Sequence, residues 1–175
     1  FSSREEMVQR GDRTLKKNTY YLLRHGQAES NLNDVISSKL ETSDQYPLTL
    51  QGRVAVERAG KKLKKKKVDM MFVSPFYRTK ETAEIVSEII GCTLKFDDRL
   101  REIDLGDLDG RPVDVYRAHN PSQFQRLDAK HPNTEGLRQV ATRIYAFIQE
   151  MEKKHKGKNI LIVSHEYPLW MLDAI

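Results

Sequence analysis

The sequence predicts an α/β fold of three layers, with a mostly parallel central sheet flanked by helices. Short β-rich runs alternate with stretches of helical periodicity along the chain. Most of these runs are almost continuously apolar, as strands covered on both faces must be. The length of 175 residues suits one domain with a sizeable core.

Residues 1–17 form a polar extension, and the domain spans 18–175. TYYLLR (19–24) reads as a buried strand. Residues 31–48, with several Ser, Asn and Asp and Pro47, read as loop. Thr49 is a candidate N-cap, and Ala55, Ala59 and Leu63 follow at helical spacing, so a helix is expected over about 50–66. VDMMFVS (68–74) is a second strand, ended by Pro75. Tyr77 to Ile90 is a second helix, with Ala83, Val86, Ile89 and Ile90 inward and Gly91 as its stop. Thr93 to Phe96 makes a third strand. Residues 97–135 are irregular, with short helices after Pro112 and Pro121. Leu137, Val140, Ala141, Ile144, Ile148 and Met151 mark a long amphipathic helix. NILIVS (159–164) is the fourth strand, and Pro168 suits the first turn of a last helix.

Composition narrows the function. No apolar run approaches the ~20 residues of a membrane span, and the N-terminal stretch lacks the apolar centre of a secretory signal. The chain opens with Phe1 rather than Met, which suggests a start within a longer gene product. A single cysteine, Cys92, allows no internal disulfide and fits a reducing, cytoplasmic setting. It reads as a small buried thiol rather than a nucleophile. The net charge is +5, much of it from Lys61, Lys62 and Lys64 to Lys67. These read as a solvated helix end. No aromatics interleave with them as a nucleic-acid surface would want, so no nucleic-acid partner is expected. The excess positive charge favours an anionic small molecule.

The polar residues fall where the strands end. Strand one runs into Arg24-His25-Gly26, strand two into Ser74-Pro75-Phe76-Tyr77-Arg78, and strand four into Ser164-His165-Glu166. Open α/β sheets bind ligands outside the carboxyl ends of their strands. Two arginines and two histidines therefore meet at one edge. Arg24 and Arg78 offer planar forks of donors that match phosphate oxygens, and Asn31 adds a neutral donor. A neutral imidazole can attack phosphorus, and a second can neutralise charge on the transferring oxygens. The leaving alkoxide needs a proton. LREIDLGD (100–107) supplies candidates, Glu102 first, then Asp104 and Asp107. His119, His131 and His155 sit in polar context and read as solvated. Tyr77 and Tyr167 suit either the mouth of the site or packing.

LLRHGQAESN, SPFYRTKETA, LREIDLGDLDG and VSHE resemble, in order, the four signature blocks of the histidine phosphatase superfamily, which includes cofactor-dependent phosphoglycerate mutases. They span residues 22–166. The resemblance implies that His25 is the nucleophile that becomes phosphorylated. Arg24, Arg78 and His165 would bind the phosphoryl group, helped by Asn31. Glu102 would be the acid for the leaving oxygen and then the base for water. It implies no metal and no cofactor. Three departures stand out. Glu166 follows the second histidine where the family often has Gly. Asn133-Thr134-Glu135-Gly136 replaces a Gly-Glu-Ser stretch. The chain also ends one helix after His165, where relatives usually continue through another strand, so a C-terminally truncated fold is expected.

The expected function is phosphatase action on a phosphorylated small molecule through phosphohistidine. A mutase of this family tends to carry a longer cover after the acid block, and the segment from Glu102 to Gly136 is compact. Mutase-type transfer is the alternative within the enzyme class. Outside it stand a non-catalytic phospholigand-binding module and a metal centre of His25, His165 and Glu102, which the neighbouring arginines disfavour.

Overall fold

The computed structural model describes residues 17–128 and 133–174. Four parallel strands form the sheet in the order β1-β4-β2-β3. They are β1 (Thr19–Arg24), β2 (Met70–Val73), β3 (Leu94–Phe96) and β4 (Asn159–Ser164). The helices are α1 (Glu29–Leu32), α2 (Leu50–Leu63), α3 (Tyr77–Ile90), α4 (Val113–His119), α5 (Leu137–Lys154) and α6 (Glu166–Asp173). The predicted three-layer α/β architecture is therefore present. The expected extension (residues 1–17) and His131 lie outside the described residues, save Lys17.

The period-2 alternation of β4 shows the layering directly. Ile160 and Ile162 pack into a core with Phe72, Ile144, Phe147 and Met151 on the α5 side. Leu161 and Val163 pack on the opposite face with Val56, Ala83 and Val86 from α2 and α3. β4 is central and wholly buried after its first residue.

Local signals explain the helix limits. The Thr49 hydroxyl accepts from the Gly52 N–H at 3.0 Å, closing the first turn of α2. Gly91 ends α3 at φ 73°, a left-handed conformation that glycine adopts without strain. The lysine run is exposed at the end of α2, as a solvated helix terminus. Cys92 is buried, and burial raises its thiol pKa.

Several expectations need correction. The inner face of α2 is Gly52, Val56 and Gly60, one position away from the predicted stripe, and Ala55 is exposed. Two glycines in an apolar stripe hide it from a pattern of large side chains. The 31–48 loop includes the end of α1 and a 3-10 turn over Ser43–Gln45. The helix expected after Pro121 is a 3-10 turn over Gln123–Arg126. Phe147 joins the buried face of α5, while Ala141 and Ile148 are only partly covered. Among the described residues no helix is long and apolar enough to cross a membrane.

Candidate active site

The strand ends are level. Arg24 pairs with Ser164 in register, the His25 N–H donates to the Ser164 carbonyl (3.1 Å), and the Ser74 N–H donates to the Val163 carbonyl (3.0 Å). The residues that follow each strand must therefore meet. Gly26 answers to close packing. A Cβ there would come within 2.7 Å of the Val56 side chain and 2.9 Å of the Gly52 carbonyl oxygen. Helix α2 thus approaches this turn backbone to backbone. The Gly26 N–H also donates to the Thr82 hydroxyl at 3.0 Å, tying the turn to α3.

Arg78 is the hub. It is 3% exposed, and its guanidinium donates in three directions. Nε bonds His25 Nε2 (3.1 Å), Nη2 bonds His165 Nδ1 (3.0 Å), and Nη1 bonds the Ser37 hydroxyl (2.9 Å). Nη2 also reaches the Ser37 carbonyl at 3.1 Å. A guanidinium only donates, so both histidine nitrogens accept. His25 Nδ1 lies 2.8 Å from the Gly26 carbonyl, which only accepts, so the proton sits on Nδ1. This network assigns His25 as neutral imidazole with its lone pair on Nε2. Burial, and then the charge of Arg78, lowers its pKa to about 3. His165 is fully buried and donates from Nε2 to the Ser74 hydroxyl (2.8 Å). Burial and Arg78 hold its pKa well below the ordinary value. The two imidazoles stand 5.2 Å apart, and Phe76 packs edge-on against His165 and under Arg78.

A cavity of about 250 Å³ opens beside this hub. Arg24, His25, Asn31, Arg78 and Glu102 all line it, so the structure brings together five of the six predicted side chains. His165 lies behind them, joined through Arg78. The Asn31 amide oxygen accepts from the Ala28 N–H (3.0 Å), which leaves its NH2 as donor. Glu102 Oε1 accepts from the Ile103 N–H (2.9 Å). Burial raises the Glu102 pKa, opposed by that hydrogen bond and by the charges of Arg78, Arg143 and Arg24. Asp104 and Asp107 do not line the cavity. Asp104 instead accepts from the Gly106 N–H (2.8 Å). Tyr167 lines the cavity, whereas Tyr77 does not. Glu166 also lines it, and forms a salt bridge to Arg24 at 3.1 Å.

Sequence reasoning missed the groups that hold these residues. Ser37 sits in a loop with no periodic signal. Arg143 donates to the carbonyls of Arg99 (2.5 Å) and Glu102 (3.1 Å) and pairs with Glu135 (3.1 Å), fixing the backbone around Glu102. Its signal was its position on α5, three residues after Val140 and beside Ile144, where a charge adjoins the buried stripe. Among the described residues, no group of three or more His, Cys, Asp or Glu side chains is arranged to hold a metal ion.

Fold and site together define an α/β protein with a cationic pocket at the carboxyl edge of a parallel sheet. The family model of the histidine phosphatase superfamily (branch 1) matches residues 20–174, and the chain belongs to this superfamily. It is similar to the probable phosphoglycerate mutase GpmB of Salmonella choleraesuis, at 29% identity over 87% of this chain and 71% of that protein. Among solved structures it resembles Bacillus stearothermophilus YhfR (32% identity, TM-score 0.77, 90% of this chain and 78% of that one). It also resembles a mycobacterial glucosyl-3-phosphoglycerate phosphatase in complex with VO3 (26% identity, TM-score 0.74, 87% of this chain and 78% of that one).

Proposed function

We propose that this chain is a metal-independent phosphatase that hydrolyses a small phosphomonoester through phosphohistidine. The observation that carries the reading is the neutral His25, whose Nε2 lone pair faces Arg78 beside an open cavity.

In the first step Nε2 of His25 attacks phosphorus and the bond from phosphorus to the alcohol oxygen breaks. Arg78 turns its donors from imidazole nitrogens to phosphoryl oxygens, helped by Arg24 and Asn31, with His165 behind the guanidinium. The protonated Glu102 gives its proton to the departing oxygen. Burial raises its pKa, the direction a general acid needs. In the second step water attacks phosphohistidine, Glu102 takes its proton, and inorganic phosphate leaves with Nε2 restored. Arg24 and Arg78 supply the positive charge that a metal would otherwise bring.

The rest of the cavity bears on the substrate. Arg126 donates to the Tyr167 hydroxyl (3.1 Å) and the Asn120 carbonyl (3.1 Å) and lies over the Tyr116 ring. Among the described residues it has no carboxylate partner. An uncompensated guanidinium in the pocket favours an ester whose alcohol part carries a second anionic group. Mutase-type transfer is the second reading, supported by the likeness to GpmB. The short stretch of sequence between Glu102 and Gly136 favours water as acceptor.

A screen of phosphorylated metabolites with a chelator present tests this reading, on wild type and His25→Ala. Release of inorganic phosphate that vanishes in His25→Ala is expected. Transfer to a second alcohol without phosphate release would favour the mutase. A requirement for added metal would contradict the mechanism.

A further inference from the structure

Asp109 does not line the cavity, yet its carboxylate gathers donors from a single loop. Oδ1 accepts from the N–H of Ser38 (2.6 Å), the N–H of Lys39 (3.1 Å) and the Ser38 hydroxyl (3.2 Å). Oδ2 accepts from the Thr42 hydroxyl at 2.8 Å. Backbone bonds extend the same tie. Ile36 donates to Arg111 (2.8 Å), Gly110 to Ile36 (2.8 Å) and Val113 to Asp34 (2.8 Å).

The loop held in this way presents Ser37. Its hydroxyl and carbonyl take two N–H groups of the buried Arg78. Among the described residues no carboxylate stands within ion-pair distance of Arg78. Its orientation therefore depends on neutral acceptors, and those acceptors must be fixed by something else. Asp109 is on the same segment as Glu102, so one carboxylate links the loop behind Arg78 to the block that carries the acid.

We propose that Asp109 is a positioning residue for phosphoryl recognition: it locks Ser37 against Arg78 and so sets where the guanidinium points. Two hydroxyls and two backbone N–H groups on one carboxylate form a rigid tie, because charge-assisted hydrogen bonds are the stronger kind. An asparagine keeps the Oδ1 acceptor and most of the tie. An alanine keeps only the three backbone bonds. The inference rests on the reading of Arg78 as the phosphoryl ligand.

The test reads the guanidinium directly by NMR, and reads binding with orthovanadate by calorimetry. In Asp109→Ala, hydrogen exchange at the Arg78 Nε–H should accelerate by about tenfold or more, and orthovanadate affinity should fall by about tenfold. Exchange at the β4 amides should change less than about threefold, which separates a local release from global loosening. Asp109→Asn should restore most of both. Adding Ser37→Ala to Asp109→Ala should cost less than about threefold more, because the two act through one contact. Thr42→Val removes one donor only, and should give a smaller loss in the same direction if Asp109→Ala folds poorly. Unchanged exchange at Arg78, equal acceleration in β4, or losses that multiply in the double variant would overturn the proposal. Wild type that fails to bind orthovanadate would count against the proposed function, while the exchange experiment still decides the role of Asp109.

Discussion

Arg24 Nη1 lies 3.1 Å from Glu166 Oε2, so one of the cavity's arginines is already neutralised by a carboxylate from the residue after His165. Both side chains are substantially exposed, and such pairs are worth little, about 0–1 kcal/mol. A phosphate dianion must nevertheless displace Glu166 or sit beside its charge.

We predict that Glu166→Gln binds anions more tightly. KM for a phosphomonoester should fall by up to about fivefold, with kcat altered less, on the scale of one surface charge pair. Added salt should shrink the difference. Weaker phosphate binding in Glu166→Gln would show instead that Glu166 holds Arg24 in its working position.

The second prediction concerns the leaving group. Alkyl phosphates depart as alkoxides that need a proton, whereas a nitrophenyl phosphate departs as a stabilised phenolate. Glu102→Gln should therefore lose about 100-fold or more on an alkyl phosphate and distinctly less on nitrophenyl phosphate. Steady-state kinetics on the two esters, with a search for trapped phosphoenzyme, makes the comparison. Equal losses would remove Glu102 from the role. No neighbouring carboxylate of the block replaces it in the cavity, since Asp104 and Asp107 do not line it.

Stability should depend on pH through the two buried imidazoles. Folding lowers the His25 pKa from 6.5 to about 3, and lowers that of His165 as well. At pH values between the unfolded and folded pKa the unfolded chain binds more protons, so acid favours unfolding. Their contribution is complete above about pH 6.5 and is lost as pH falls towards 3. Glu102 acts in the opposite sense, because its raised pKa favours the folded state on acidification. Two histidines against one carboxyl give a net loss. Denaturant midpoints measured between about pH 7 and pH 4 should fall in wild type and fall less steeply in His165→Asn. A flat wild-type profile would contradict the neutral, buried assignment of the pair.

Much of this site was legible in the sequence because sheet periodicity and strand ends are local signals. Val73 and Val163, and then Arg24 and Ser164, are level in register, so the apolar runs alone brought His25, Arg78 and His165 to one edge. The α2 face was misread because its buried positions are Gly52 and Gly60, which signal close approach rather than apolar bulk. Ser37, Asp109 and the partners of Arg143 were not legible for a different reason. Each acts through partners far along the chain, as Asp109 does with the loop at 38–42, and no spacing rule encodes such contacts. The Arg24–Glu166 pair was half visible: the charge could be read, its partner could not.

The central claim is that the phosphoryl group passes to Nε2 of His25, since Nδ1 is committed to the Gly26 carbonyl at 2.8 Å. The most direct test is to incubate the protein with a labelled phosphomonoester, quench in denaturant and map the phosphate by mass spectrometry and phosphorus NMR. The account predicts an acid-labile, base-stable phosphate on His25, attached at Nε2, and its loss together with turnover in His25→Ala. Phosphate on His165, attachment at Nδ1, or label that persists in His25→Ala would contradict it.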